Sequence, residues 1–178
     1  MQQNLTSTKF AYISSSIKKM LEPLKSDQTF LRMIKYMSDY PLELQYFSDD
    51  GVTTFEQPDI EMPCDLIGNK DVLLTLFNPS IVVDEKIYIF FSHLHFTSYP
   101  NSAIVEHTFV MDVVLPYHII QMGDKLRTEI IADEICKCID NQNLADIGRC
   151  YVSNGDEYVV NSTYQGFRLF IKADNRRF

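Results

Sequence analysis

The sequence predicts a single α+β domain: a small antiparallel sheet with one helix packed across it and two helices before it. Helical and strand-like stretches are segregated in the order ααβββαβββ, which favours an antiparallel sheet with helices on one side. The length of 178 residues suits one domain, since domains commonly hold about 100–200 residues. We divide the domain 1–178 into a helical pair (1–42), a long loop (43–71) and a sheet with a helix (72–178).

Two short amphipathic helices open the chain. Apolar residues recur in the first at three- and four-residue steps, which is helical spacing: Phe10, Ile13, Ile17, Met20, Leu21 and Leu24. Pro23 should end this helix, because the residue before a proline avoids the helical conformation. Ser26 or Asp27 can cap the second helix, which should end at Pro41. Its apolar face is formed by Phe30, Leu31, Ile34 and Met37.

In residues 43–71 the apolar residues do not recur with the spacing of a helix or of a strand. Turn-forming residues interrupt them at Asp49-Asp50-Gly51, Pro58, Pro63 and Gly68-Asn69, so they predict a long surface loop with one helical turn near Asp65. Such long connections are uncommon inside a compact domain. We therefore expect the loop to be functional or to become ordered on a partner.

Three strands should follow, over residues 72–77, 86–96 and 106–115. The second is apolar on both faces in its first half, which is typical of a central strand covered on both sides. The third alternates apolar residues with a face that holds Glu106 and Asp112, a half-buried pattern. We expect these two carboxylates to be solvated.

A helix over residues 124–140, capped by Asp124, has the clearest apolar stripe in the chain: Leu126, Ile130, Ile131, Ile135, Cys138 and Ile139. Asp133 and Lys137 should form an ion pair on its surface. Strands over 146–152 and 157–160 should flank a turn at Asn154-Gly155, because Asn-Gly is a strong hairpin signal. A last strand, 165–172, places Phe167, Leu169 and Ile171 on one face.

Composition limits the classes of function. Lys and Arg number 16 against 24 Asp and Glu, a net charge of -8, which argues against nucleic-acid binding. No apolar run approaches the roughly 18 residues of a membrane span, so we expect no membrane association. None of the four cysteines is in CxxC spacing, which favours free thiols over a zinc or redox motif.

One histidine arrangement could bind metal. His93 and His95 should share a strand face with side chains about 7 Å apart, and His107 on the next strand could be a third ligand. No carboxylate or cysteine partner stands at a recognisable distance, so partly exposed histidines are the favoured interpretation.

The chain contains no GxSxG, HExxH, GxGxxG or P-loop motif and no nucleophile with a credible base. We therefore assign no catalytic, cofactor-binding or metal residues and no cofactor, and we expect the protein not to be an enzyme.

The only basic cluster is the C-terminal Asn175-Arg176-Arg177-Phe178. It is either a solvated tail or a segment that docks on an acidic neighbouring subunit.

The second half resembles a known family. The strand Phe109-Val-Met-Asp-Val-Val-Leu115, the helix Leu126-Arg-Thr-Glu-Ile-Ile-Ala-Asp-Glu-Ile135 and the last strand Tyr164-Gln-Gly-Phe-Arg-Leu-Phe-Ile171 resemble tail-terminator (tail-completion, neck) proteins of tailed bacteriophages. The resemblance covers residues 86–173. In that family a helix lies across a small antiparallel sheet, and several copies close a ring between the tail tube and the head connector.

The resemblance implies a virion structural protein: a ring subunit, hexameric by analogy, that caps the tail tube and joins it to the head connector. DNA would pass through the lumen without specific binding. The protein would be made in the host cytoplasm and reside in the virion neck. Two alternatives remain open: another portal-to-tail adaptor or connector of a phage, or a small cytosolic enzyme or ligand-binding α+β domain.

Overall fold

The structure, a computed structural model, describes residues 13–47, 51, 54–60, 71–98, 104–144 and 148–176. Three α-helices lie in this part: α1 (Ile13–Ser26), α2 (Gln28–Lys35) and α3 (Arg127–Ile139). The strands there are β1 (Gln45–Phe47), β2 (Thr54–Glu56), β3 (Val72–Leu73), β4 (Tyr88–Ser98), β5 (Ile104–Pro116), β6 (Gln121–Met122), β7 (Lys125–Leu126), β8 (Asn143–Leu144), β9 (Gly148–Val159) and β10 (Tyr164–Arg176). The α+β class is confirmed.

The main sheet has six strands in the order β3-β4-β5-β10-β9-β8. Its four long strands pair antiparallel, as predicted, but β3 runs parallel to β4. The sheet is therefore mixed, and the expectation of a purely antiparallel sheet is wrong at this edge. The predicted strand 72–77 is cut to Val72–Leu73.

All three helices lie on one face of the sheet and share a large apolar core with it. Both α1 and α2 pack against α3. The predicted stripe of α3 is confirmed, since Ile131, Ile135 and Ile139 are buried against the sheet. None of the helices in the described ranges is long and apolar enough to cross a membrane.

The opposite face of the sheet carries a second, smaller core. Tyr88, Phe90 and Val114 are buried there beneath the segment that contains Val82. Strand β4 is thus covered on both faces, as predicted. Strand β5 is also covered on both faces, because its Val110, Asp112 and Val114 are buried as well. The half-buried pattern predicted for β5 is wrong.

Both N-terminal helices end elsewhere than predicted. Pro23 lies inside α1, and the turn that follows it stays helical because Leu24 is fully buried in the core. Asp27 caps α2 as predicted, its carboxylate accepting a hydrogen bond from the Phe30 amide at 2.7 Å. Helix α2 ends at Lys35, well before Pro41.

Helix α3 begins without the predicted cap. Asp124 lies in the tight turn between β6 and β7, next to Gly123 with a positive φ of 62°. The backbone carbonyl of Ile120 accepts a hydrogen bond from the Arg127 amide at 2.7 Å. This contact satisfies an N–H group at the helix start. The Asp133–Lys137 ion pair is confirmed at 2.8 Å.

Asn154-Gly155 is not a turn. Strand β9 continues through it, with a register shift where Ile171 pairs with Val152 but Phe170 pairs with Asn154. Gly155 is needed for close approach, since a Cβ there would lie 2.9 Å from the Phe167 ring. The chain turns instead between β9 and β10.

Two predicted segments prove more ordered than expected. Residues 43–71 contain an antiparallel pair, β1 and β2, although the proposed helical turn near Asp65 falls outside the described residues. The backbone of Asn175 and Arg176 pairs with β5, so these two residues belong to the sheet and not to a solvated tail.

Candidate functional site: an acidic arm held by buried arginines

Residues 36–60 form a feature that we call the arm, described over 36–47, 51 and 54–60. The arm leaves the end of α2, runs out along β1 and returns along β2. The amide of Gln57 donates to the carbonyl of Leu44 at 2.8 Å and extends the pairing towards the helices. The arm is therefore a two-stranded projection with its base at α2.

Arg32 fixes the base of the arm. Its guanidinium is buried in α2 and donates to the carbonyls of Pro41 at 3.1 Å, Glu43 at 2.6 Å and Gln57 at 2.6 Å. It also donates to the Asp59 carboxylate at 3.2 Å. One planar fork thus joins the outgoing and returning strands, which a lysine ammonium could not reproduce.

Gln57 adds a second tie across the same base. Its side-chain amide donates to the carbonyls of Tyr40 at 2.7 Å and Glu43 at 3.2 Å. Its amide oxygen accepts from the Ser38 hydroxyl at 2.6 Å. Gln57 is itself buried, so the polar groups at the arm base are satisfied by one another and not by bulk water.

Arg127, the first residue of α3, holds the first residues of the arm. It is fully buried and donates to the carbonyls of Tyr36, at 2.9 Å, and Ser38. Burial lowers the pKa of Arg127 to about 10, partly opposed by the charge of Asp39. The capture of these two carbonyls explains why the chain leaves the helix at Lys35, short of the predicted end.

The arm presents apolar side chains to solvent along its length. Leu44 is 60% and Phe47 67% exposed, and Tyr40, Leu42 and Phe55 are also exposed. The arm is also the most acidic stretch of the chain, because residues 36–60 contain no lysine or arginine and six carboxylates: Asp39, Glu43, Asp49, Asp50, Glu56 and Asp59. Exposed apolar groups on both faces of a two-stranded projection are available for contact with another protein.

The three histidines considered as possible metal ligands do not come together. A register shift between His93 and His95 pairs His93 with Phe109 but His95 with Thr108, so the two histidines point to opposite faces and their predicted spacing is wrong. His93 instead contacts His107, with Nε2 of the first 3.2 Å from Nδ1 of the second. Within the described ranges, no group of three or more His, Cys, Asp or Glu could hold a metal ion.

The histidine pair should make stability depend on pH. Burial lowers the pKa of His93, helped by the charges of His107 and His95, and burial also lowers the pKa of His107. A histidine whose pKa is lower in the folded state binds fewer protons than in the unfolded chain. Stability should therefore be full above the unfolded pKa of about 6.5 and fall as pH drops below it.

We expect the melting temperature to fall between pH 7 and pH 5, and to fall less in His93→Gln, as measured by circular dichroism. His118→Gln is the matched control, because His118 is an exposed histidine outside the pair, and it should keep the wild-type profile. An unchanged profile in His93→Gln would contradict the effect assigned to the pair.

Asp112, expected to be solvated, is fully buried on the sheet face opposite the helices. It accepts two hydrogen bonds from the Arg168 guanidinium, at 2.7 and 3.2 Å, and one from the Tyr158 hydroxyl at 3.0 Å. The pKa of Arg168 is raised, chiefly by its hydrogen bond with Asp112. Burial, followed by the charge of Asp112, raises the pKa of Tyr158. This arrangement is a satisfied structural network, not an acid–base pair.

Glu106 lies further along the same face and forms an ion pair with Lys172 at 3.0 Å. It is only partly buried, so the expectation of a solvated carboxylate fits Glu106 better than Asp112. Cys150 is a buried free thiol, and burial raises its pKa to about 12. A thiol with so high a pKa is a poor nucleophile at neutral pH.

Sequence reasoning missed the two anchoring arginines. Arg32 lies within the apolar face of α2 and Arg127 beside the first apolar residue of α3, and the sequence analysis singled out neither of them. One sequence signal could have revealed Arg32: it is a cation inside an apolar stripe, and the acidic segment that follows, residues 36–60, contains no lysine or arginine. Such a cation must be paired with acceptors if it is buried.

The fold and the arm define an α+β protein with an exposed, acidic and apolar contact surface. A family model described as YomW matches residues 27–173, which include α2, the arm, α3 and the sheet except for the last three residues of β10. The chain therefore belongs to the YomW family, a phage-derived family of the Bacillus prophage type. No curated protein matches the chain. The phage association of the resemblance is thus confirmed.

Proposed function

We propose that this protein is a virion structural protein of a tailed phage: a tail-terminator or neck subunit that forms a ring, caps the tail tube and joins it to the head connector. The observation that carries the proposal is the arm. Leu44 and Phe47 are held away from the core on a base that Arg32 fixes. Exposed apolar groups on a braced projection suit contact with a neighbouring protein better than chemistry on a small substrate.

The phage-derived family and the charge of the chain support the same proposal. A ring needs a head-to-tail interface made of two different patches, and the arm can supply one of them. With a net charge of -8, a ring would repel DNA and let it slide through the lumen without specific binding. The proposed partners are further copies in a hexamer, the tail tube protein and the connector, all in the virion neck. The proposal includes no enzymatic activity and no cofactor.

Deletion of the gene from an inducible prophage tests the proposal. A terminator caps the tube, so its loss should give tails of uncontrolled length that are not joined to filled heads, as seen by electron microscopy. A plasmid copy of the wild-type gene should restore infective particles. Mass spectrometry of purified virions should detect the protein, and immunogold labelling should place it at the neck.

The same experiment separates the alternatives. Tails of normal length that fail to join heads would assign the protein to a portal-to-tail adaptor instead. Absence from purified virions, together with normal particles from the deletion strain, would overturn a virion role.

A further inference from the structure

An open groove runs between α3 and the outer strand β9, and we call it the edge groove. One wall is α3 with the residue that follows it, from Glu129 to Asp140, and the other is the stretch of β9 from Val152 to Gly155. Its volume is about 490 Å³, within the roughly 300–1,000 Å³ of ligand sites. Asp140 follows Glu129 by eleven positions, so the groove is about 16 Å long, the length of about five residues of an extended strand.

The floor of the edge groove is apolar. It is formed by Phe167 and Leu169 of β10 together with Val152, and all three pack in or against the core that the helices share with the sheet. Gly155 has no side chain, and the Phe167 ring lies against it, 2.9 Å from the position that a Cβ would take. The apolar floor therefore reaches the outer edge of the sheet.

The walls of the edge groove carry an excess of negative charge. Helix α3 with Asp140 and strand β9 together contain six carboxylates and three cations. Of the cations, Arg127 is bonded to carbonyls of the arm, and Lys137 already forms an ion pair with Asp133. Burial, followed by the charges of Asp140 and Asp133, raises the pKa of Cys136 in the groove, as expected of negative surroundings. The carboxylates that line the groove itself are Glu129, Asp133 and Asp140.

Strand β9 has an open outer edge beside the groove. Its outer neighbour β8 pairs only with the first two residues of β9. Further along, the Val152 amide is the last on this edge with a partner among the described residues, the Asp140 carboxylate. Residues 153–157 are exposed. From there to Val159 the edge can accept another strand, because unpaired backbone groups at a sheet edge are a template for strand pairing.

The turn between β9 and β10 shows which backbone groups this edge offers. The Val160 amide donates inward to the Tyr164 carbonyl at 3.1 Å. Inward and outward backbone groups alternate along an antiparallel strand, so Glu157 and Val159 turn their amide and carbonyl groups outward. An added strand can form hydrogen bonds with these groups, as β10 does on the other side of β9.

We propose that the edge groove binds an extended segment of another protein, which adds to β9 as a strand and carries arginine or lysine at alternate positions. The open edge binds the backbone of the segment. The aliphatic stems of its basic side chains lie on Phe167 and Leu169, while their charged ends reach the carboxylates of α3. Alternate side chains of a strand are about 7 Å apart, close to the rise of about 6 Å between Glu129 and Asp133. The inference goes beyond the proposed ring, because it assigns a separate binding site.

Two observations favour another protein over a second copy of this chain as the occupant. The chain has a net charge of -8, and β9 carries Asp156 and Glu157 on its exposed stretch, so two copies would repel each other at this edge. The only two cations of the sequence that stand two positions apart are Lys125 and Arg127, and Arg127 is fully buried.

Fluorescence anisotropy with the full chain tests the site. The probe is a fluorescein-labelled heptapeptide, Thr-Val-Arg-Val-Arg-Val-Thr, which should bind at low ionic strength. The control peptide Thr-Val-Val-Arg-Arg-Val-Thr has the same composition and charge. It should bind about fivefold more weakly, because adjacent side chains of a strand point to opposite faces and one arginine would turn away from α3. Equal binding of the two peptides, or no binding of the first at millimolar protein concentration, would overturn the proposal.

Charge reversal shows where the peptide binds. Glu129→Lys should weaken binding of the first peptide about tenfold, because it places a cation in the wall that the arginines approach. Glu22→Lys makes the same change of charge at an exposed position on α1 and is the control, with little effect expected. Equal weakening by the two variants would show that the peptide responds only to net charge, and would overturn the assignment to the groove.

A backbone variant tests the added strand. Glu157→Pro removes an outward amide donor, and proline is tolerated where an edge strand turns its N–H outward. It should weaken binding about tenfold relative to Glu157→Gln, which removes the same charge but keeps the donor. In the wild-type protein, the Val159 amide should exchange more slowly with solvent when the peptide is bound, a readout that needs no variant. An unchanged exchange rate at saturating peptide would overturn strand addition at β9.

Discussion

Replacing Arg32 with methionine should release the arm and lower the free energy of unfolding by about 3 kcal/mol. The buried guanidinium donates to the carbonyls of Pro41, Glu43 and Gln57, and each buried acceptor left without a donor costs about 1–3 kcal/mol. If the arm opens, water can bond to the three carbonyls. The loss in the free energy of unfolding should therefore be smaller than the summed cost of three unsatisfied carbonyls. Urea denaturation measures the change in stability.

Hydrogen exchange shows where the change occurs. The Gln57 amide, bonded to the Leu44 carbonyl, should exchange faster in Arg32→Met. The amides of α3 should still exchange only through global unfolding, so their exchange rates should change by no more than the loss in the free energy of unfolding. Lys25→Met is the matched control, because Lys25 forms an exposed ion pair with Glu22, and such pairs contribute about 0–1 kcal/mol. Arg32→Lys should resemble Arg32→Met, because one ammonium cannot reach the same set of acceptors. Wild-type protection of Gln57 in both variants would show that the arm does not depend on Arg32.

The sequence was sufficient for the parts of the fold that depend on periodicity. The stripe through Ile131, Ile135 and Ile139, the Asp27 cap and the two-sided covering of β4 all follow from residue spacing. Other features of the fold depend on contacts between residues that are distant in the sequence. Leu24 keeps α1 helical beyond Pro23, and the Ile120 carbonyl replaces a side-chain cap on α3. Neither partner is adjacent in sequence to the feature that it controls.

The same limit applies to the candidate site. Turn-forming residues in 43–71 indicated a loop, but the order of the arm comes from Arg32 and Arg127, which lie outside that loop. A bulge in β4 separated His93 from His95, and no pattern of alternation reveals a bulge in advance. Asp112 was read as solvated because Arg168 and Tyr158, its partners, are more than 40 residues away.

Replacing Arg168 with methionine should be costly on the opposite face of the sheet. Asp112 is fully buried, and the substitution would leave its carboxylate with the Tyr158 hydroxyl as its one remaining hydrogen-bond donor among those described. Breaking a buried ion pair from one side costs about 3–5 kcal/mol. Since the Arg168 side chain is 36% exposed, water can approach the site, and we expect about 2–3 kcal/mol in urea denaturation at pH 7.

The double variant Asp112→Asn with Arg168→Met distinguishes a broken ion pair from lost packing. Removing the buried charge should recover part of the stability lost in Arg168→Met, because the cost comes from the uncompensated carboxylate and not from the missing side chain. Lys172→Met is the control, because its pair with Glu106 is partly exposed on both sides, and it should cost less than about 1 kcal/mol. Equal losses of stability in Lys172→Met and Arg168→Met would contradict this prediction. So would a double variant whose loss equals the sum of the losses of its two single variants, because the cost of Arg168→Met would then not come from the buried charge of Asp112.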